Sequence, residues 1–227
     1  MPGEILQNLQ QVKARIARAA HLSGRDPGEI TLVGVTKTVS VQRIAEAVDA
    51  GLTDLGENRV QEALGKIAQF QGRPVNWHLI GQLQTNKVRQ ILPRVELIHS
   101  LDRFKLAKEL DSRAENLQMK ANCLVEVNVA GEASKAGLPL GQVDDFVGTV
   151  VSECPHVAVH GLMTVAPYAE NPEDVRCYFR QLRRLFDRMA DVYGFRHLSM
   201  GMSNDFEVAI AEGATMVRVG TAIFGRR

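Results

Sequence analysis

Residues 208–220, "VAIAEGATMVRVG", decide the fold. Val208, Ala209 and Ile210 read as the end of a helix, with Gly213 as its stop. Met216, Val217 and Val219 then form a short apolar strand that ends on Gly220. The same order of helix, glycine, strand and glycine returns in "AEAVDAGLTDLG" at residues 45–56, with Gly51 as the left-handed residue after the helix. A chain that repeats this unit enters each strand from the same end, so its strands run parallel.

Working outward, eight short β-branched runs fit that scheme: 30–37, 52–58, 75–81, 95–100, 121–129, 156–165, 197–201 and 215–225. Helical patterns lie between them at 41–51, 59–70, 84–92, 102–117, 141–154, 172–194 and 204–213. Asp102 is placed to cap the fourth of these, and Pro172 falls near the first turn of the sixth. Eight strands alternating with helices predict a single-domain α/β chain, a (β/α)8 TIM barrel over residues 1–227. An extra N-terminal helix spans 3–22, with Ile5, Leu6, Leu9, Val12 and Ile16 on one face. An open doubly wound sheet is the competing architecture. It needs fewer strands, and no GxGxxG follows the first strand.

Composition narrows the functional classes. Apolar residues at 45% and charged residues at 23% describe a water-soluble chain, and a net charge of +1 gives no pull toward nucleic acid or anionic membrane. Cys123, Cys154 and Cys177 lie far apart with no CxxC pair, so they read as thiols of a reducing compartment and not as a zinc or disulfide framework. The N-terminus lacks the continuous apolar core of a secretory signal. The expected location is the cytoplasm.

In such a barrel the chemistry gathers at the C-terminal ends of the strands. There the sequence places Lys37, Glu57 and Asn58, Ser100, Asn128, Met163 and Thr164, Ser203, and Gly220 with Thr221; His78 lies within the third strand. Val33, Val35 and Lys37 share a strand face, so if the valines point inward Lys37 tops the barrel interior. An amine there suits a Schiff base with a carbonyl; alternatively it snorkels to solvent. Ser203, between a strand and a helix bearing Asp205 and Glu207, suits a phosphate or serves as a plain helix cap. Gly220 and Thr221 repeat the phosphate logic one unit later. Arg218, on an apolar strand, needs a carboxylate such as Glu126 or an acceptor on a ligand. His78 either lies against a ligand ring or is a satisfied core histidine, and Met163 and Met200 read mainly as packing. Trp77 is read as packing outward, and the arginines of "RQLRRLFDRM" as a solvated helix face. A lysine for an aldehyde, a phosphate cup and an arginine between them suit pyridoxal 5′-phosphate (PLP).

The stretches "VGVTKTVS" (33–40), "LGENRVQEA" (55–63), "WHLIGQLQTNKV" (77–88), "HSLDR" (99–103), "EVNVAGEASKAG" (126–137), "GLMTVAP" (161–167) and "LSMGMSNDFEVAIAEGATMVRVGTAIFG" (198–225) carry a further signal. They resemble the YggS/PROSC-type pyridoxal phosphate homeostasis proteins. The resemblance implies a fold type III barrel like the N-terminal domain of alanine racemase. It implies Lys37 as the Schiff-base lysine, Ser203, Gly220 and Thr221 at the phosphate, and Arg218 at the pyridine nitrogen. Asn58, His78 and Met200 would lie near the ring. The implied role is management of the vitamin B6 pool and amino-acid balance. For such a carrier the expected partners are free PLP and PLP-dependent apoenzymes, and the sequence, which shows no extra dimerisation element, is expected to give a monomer. A weak amino-acid racemase and a Schiff-base aldolase are the enzymatic alternatives. A racemase needs acid/base groups on both faces of the substrate carbon, and the barrel is expected to supply only one side.

Overall fold

A computed structural model describes residues 3–132 and 135–225. Ala133 and Ser134, within the motif at 126–137, lie outside the described residues. The chain opens with α1 (Glu4–Leu22), then alternates β1 (Thr31–Val35), α2 (Val41–Asp49), β2 (Asp54–Glu57), α3 (Val60–Ile67), β3 (Asn76–Leu79) and α4 (Val88–Ile91). It continues with β4 (Leu97–Leu101), α5 (Phe104–Asn116), β5 (Ala121–Asn128), the two-residue β6 (Leu138–Pro139) and α6 (Val143–Glu153). The last units are β7 (Val157–Met163), α7 (Arg176–Tyr193), β8 (His197–Met202), α8 (Phe206–Ala211), β9 (Met216–Val219) and α9 (Thr221–Phe224).

The strands pair in parallel in the order β4-β3-β2-β1-β9-β8-β7-β5, and β4 pairs again with β5, which closes the ring. This is the eight-stranded barrel that the alternation predicts. The short β6 lies outside the ring, pairing only with the end of β5. Burial follows the period of two expected of strands. Leu55, Leu79, Ile98, Val125, Val127, Leu198 and Val217 join the large core between sheet and helices. Leu97, Leu124, Met163 and Met216 form a separate small cluster. They share the strand face of Arg218 and His99, which is the inner one.

α1 caps this barrel laterally. Its buried Ile5, Leu9, Val12 and Ile16 pack toward α2, α8 and α9. Asn8 Nδ2 donates to the Ile223 carbonyl at 3.1 Å, and Arg15 makes a two-pronged contact with Glu207 at 3.1 and 2.7 Å. Among the described residues no helix is long and apolar enough to cross a membrane. Cys123 and Cys154 are buried free thiols and Cys177 is an exposed one.

Several expected boundaries move. Asp102 does not cap α5: Arg103 occupies that position, with no side-chain cap, and Asp102 pairs with the Arg103 guanidinium at 2.5 Å. The run 215–225 is not one strand. The backbone turns at Gly220 (φ −116, ψ −76) and finishes as α9. Strand β1 stops at Val35, so Lys37 stands two residues past it in a turn. Gly51 does follow α2 with φ +86.

Candidate functional site

The Lys37 turn is fastened on both sides. Thr36 is buried, and its carbonyl accepts from Lys66 Nζ at 2.6 Å. The backbone N–H of Thr38, a non-glycine residue at φ +61, donates to Glu62 Oε1 at 2.5 Å. Lys66, on α3, donates also to Glu57 Oε1 and Glu62 Oε1, each at 2.7 Å, and the Thr36 hydroxyl donates to Glu57 at 2.6 Å. Burial raises the pKa of Glu57; Lys66 and Thr36 work against that. At Glu62 burial is outweighed by the bonds from Lys66 and Thr38, and its pKa falls. Lys37 sits at the centre of this frame, half-buried. Among the described residues its ammonium has no hydrogen-bond or ion-pair partner. Glu57 was expected on the rim, yet it has the opposite strand parity to Asp54 and Gly56. It therefore lies in the wall between β2 and α3 and is fully buried.

The two loops read as a phosphate cup do meet. The Gly220 N–H donates to Ser203 Oγ at 3.2 Å, joining the end of β8 to the end of β9. Ser203 is thus no plain helix cap. Asp205 precedes α8 without making a side-chain cap, and it accepts from the Met202 N–H at 2.6 Å. The approach depends on Gly201, at φ +91, where a Cβ would stand 2.6 Å from Ala209 Cβ and 2.9 Å from Phe206 Cα. Because Ser203 Oγ accepts from Gly220, its own hydroxyl proton remains to be donated. Thr221 beside it is exposed.

Arg218 points into the barrel and is 3% exposed. No carboxylate touches it among the described residues. Instead Nη1 donates to Ser199 Oγ at 2.5 Å and Nη2 to the Thr164 carbonyl at 2.7 Å, leaving its other donors for a ligand. Burial pulls its pKa down to about 10, so it stays a cation at neutral pH. Glu126, the expected ion partner, bonds Gln82 instead, and burial, with Asp102 adding to it, pushes its pKa up to about 7.

Other expected residues separate. Asn58 is held by the close passage of Gly81, where a Cβ would fall 2.4 Å from the Asn58 carbonyl oxygen, and Asn58 Oδ1 is buried without a partner. Asn128 Oδ1 is likewise buried and unpaired, while its Nδ2 donates to the Glu132 and Lys135 carbonyls. His78 spends both ring nitrogens inside the barrel, on His99 and Asp54, so it offers a ligand no free nitrogen. Met200 is fully buried in the outer core with Leu198 and Phe206, and its side chain is packing. Ser100 donates to the Gly81 carbonyl at 2.7 Å and Thr164 to the Val127 carbonyl at 2.7 Å, so both are structural. The reading of the sequence missed Lys66, Glu62, His99 and Ser199. Their signal was available for the last two: a polar residue on the inward parity of an apolar strand.

Known proteins are similar to this chain over nearly its whole length. The family model "Alanine racemase, N-terminal domain" matches residues 7–227. A pyridoxal phosphate homeostasis protein of Aquifex aeolicus is 48% identical, over 97% of each chain. Among solved structures, an unknown protein from Bifidobacterium adolescentis aligns with TM-score 0.89 at 36% identity, covering 97% of this chain and 94% of that one. PipY of Synechococcus elongatus, solved with PLP bound, aligns with TM-score 0.80 at 34% identity, over 92% of this chain and all of that one. With these matches spanning nearly its whole length, the chain belongs to the alanine racemase N-terminal domain family and, within it, to the pyridoxal phosphate homeostasis proteins.

Proposed function

We propose that this protein binds pyridoxal 5′-phosphate reversibly, holding it on Lys37, and serves the homeostasis of vitamin B6 and of amino acids. One observation carries the reading: a rim ammonium without a partner, on a turn fixed from both sides. When bound, PLP supplies an aldehyde carbon that forms a C=N bond to a primary amine with loss of one water, a bond that water or a second amine reverses.

The residues present fit that group. The Ser203 hydroxyl, with Gly220 and Thr221 beside it, would hold the phosphate, Arg218 would offer its remaining donors to the pyridine nitrogen, and the orphaned Asn58 Oδ1 would lie near the ring. A guanidinium at the pyridine nitrogen would hold that atom unprotonated, which weakens PLP as an electron sink. The Aquifex aeolicus relative, a pyridoxal phosphate homeostasis protein, and the PLP bound in PipY support the reading. On this reading residues 1–227 act as one cytoplasmic, monomeric unit, taking up free PLP and supplying PLP-dependent apoenzymes.

The test is an absorption spectrum of protein mixed with PLP, followed by borohydride reduction and peptide mapping. A yellow protein with one pyridoxyl group fixed on Lys37 is expected. A colourless protein, or label on another lysine, overturns the assignment. Incubation with L- and D-alanine in heavy water separates carrier from racemase, since sustained Cα exchange at ordinary enzymatic turnover would displace the carrier reading.

A further inference from the structure

The barrel interior holds a line of polar side chains that leads away from Arg218 and that, beyond Arg218 itself, the PLP reading leaves without a role. It starts at Arg218 on β9 and passes to Ser199 on β8, 2.5 Å away. Ser199 Oγ lies 3.1 Å from His99 Nδ1 on β4, and His99 Nε2 lies 3.0 Å from His78 Nδ1 on β3. His78 Nε2 lies 3.1 Å from Asp54 Oδ1 on β2. Ser199 and His99 are fully buried, His78 is 2% exposed, and Asp54 is half-buried. The line ends at a cavity of about 430 Å3 at the opposite mouth of the barrel, lined by Asp54, His78, Asn122, His160, Arg196 and His197.

With one proton on each imidazole, the two ends give every bond its direction, since the Asp54 carboxylate only accepts and the Arg218 guanidinium only donates. A guanidinium only donates, so Ser199 Oγ accepts from it and sends its own proton onward. The receiver is His99 Nδ1, whose lone proton is then on Nε2 and points at His78 Nδ1. By the same step His78 carries its proton on Nε2 and donates to Asp54. No group in the run is left unpaired, and the only formal charges are the cation at one end and the carboxylate at the other.

We propose that Ser199, His99 and His78 are positioning residues forming a one-way hydrogen-bonded relay that fixes the orientation of the Arg218 guanidinium and ties it to the carboxylate of Asp54 at the far mouth. The consequence for the ligand end rests on the PLP reading above: an Arg218 so held keeps its remaining donors turned to the rim and the pyridine nitrogen without a proton. The charged and titratable groups facing the two histidines are Asp54 from β2, His197 from β8 and Arg218 from β9. Burial, with His78, Arg218 and His197 adding to it, keeps His99 neutral, as the relay requires.

Two measurements decide this. In PLP-free protein labelled with 15N, both His78 and His99 should be Nε2–H tautomers at neutral pH. A proton on His99 Nδ1, or a charged His99, overturns the relay whatever the protein binds. With PLP bound, His99→Gln keeps an acceptor and a donor and should preserve the pH dependence of the visible band. His99→Leu and Ser199→Ala break the line and should shift that dependence by on the order of one pH unit. Ser199→Ala removes a single oxygen and is the variant to use if His99→Leu does not fold. A broken-line variant that stays yellow with the native pH profile refutes the proposal. If the native protein itself takes up no PLP, the binding reading fails, and the NMR result still decides the relay.

Discussion

Lys37 and Arg218 are both cations at the C-terminal end of the barrel, and the chain fastens them by opposite means. The Lys37 turn is gripped from outside the wall by charges, with Glu57, Lys66 and Glu62 bonded to one another and to the backbone on either side. Arg218 is gripped from inside by uncharged groups, a serine hydroxyl and a backbone carbonyl. The difference follows from solvation. Between β2 and α3 Glu62 still reaches water, so an ion cluster is tolerable there; inside the barrel an ion pair would be desolvated on both sides. The arrangement leaves Lys37 with a rigid backbone and a free ammonium, and leaves Arg218 with a rigid head group.

The strongest way to break that comparison is at its two cations. Replacing Lys37 with alanine should abolish borohydride fixation of PLP while leaving the fold intact, because the fastening network contacts only the neighbouring backbone. Circular dichroism and mass mapping check both halves. A variant that still fixes PLP would separate the turn from the chemistry.

Next in size is Lys66→Met. It removes the cation that satisfies a fully buried carboxylate, so a loss of about 3–5 kcal/mol in unfolding free energy is expected. Adding Glu57→Leu should recover much of it, since the uncompensated charge leaves with its partner. Denaturant titration measures both. If the double variant is no more stable than the single one, the network acts through geometry and not through charge.

The interior sharpens the comparison through pH. Glu126 moves from 4.5 to about 7 on folding, so between those values the folded protein holds the proton more tightly than the unfolded chain. Its contribution is therefore full on the acid side and lost as pH rises through that window, by up to ~3 kcal/mol. His99 acts the other way. Its pKa is depressed by burial, so below its ordinary 6.5 the unfolded chain takes up the proton first and stability falls as pH falls. Glu126→Gln should flatten the loss toward neutral pH, and His99→Gln the loss toward acid, each read from denaturation midpoints at stepped pH in PLP-free protein. A single slope shared by both variants would show that other groups dominate.

The fastenings also mark what the sequence could and could not reveal. The strands were legible because apolar alternation and stopping glycines are local signals, and Lys37 was legible because Val33 and Val35 fix its parity. The Glu57–Lys66 pair was not, since Lys66 reads as an ordinary exposed lysine of an amphipathic helix until α3 is seen to lean over the end of β1. The same parity rule that placed Lys37 also turns Glu57 into the wall and His99 and Ser199 inward, but it needs strand ends that the sequence left uncertain by a residue or two. The cap misread at Asp102 and the strand that became α9 at Thr221 have the same origin: backbone reversals decided by tertiary packing.

The smallest effect lies at the junction of the two loops. Ser203→Ala removes the acceptor for the Gly220 N–H, a neutral bond at 3.2 Å, and with it a hydroxyl donor for phosphate. The first loss leaves the N–H of the buried Gly220 without its partner and costs about 1–3 kcal/mol of stability. The second should weaken PLP binding roughly fivefold to thirtyfold, the equivalent of about 1–2 kcal/mol. The contrast is best read in the Lys37→Ala background, where no covalent bond masks the phosphate term, with inorganic phosphate as competitor. If phosphate competes equally well with and without the Ser203 hydroxyl, the two loops hold each other and not the ligand, and the anion must be held elsewhere on the rim.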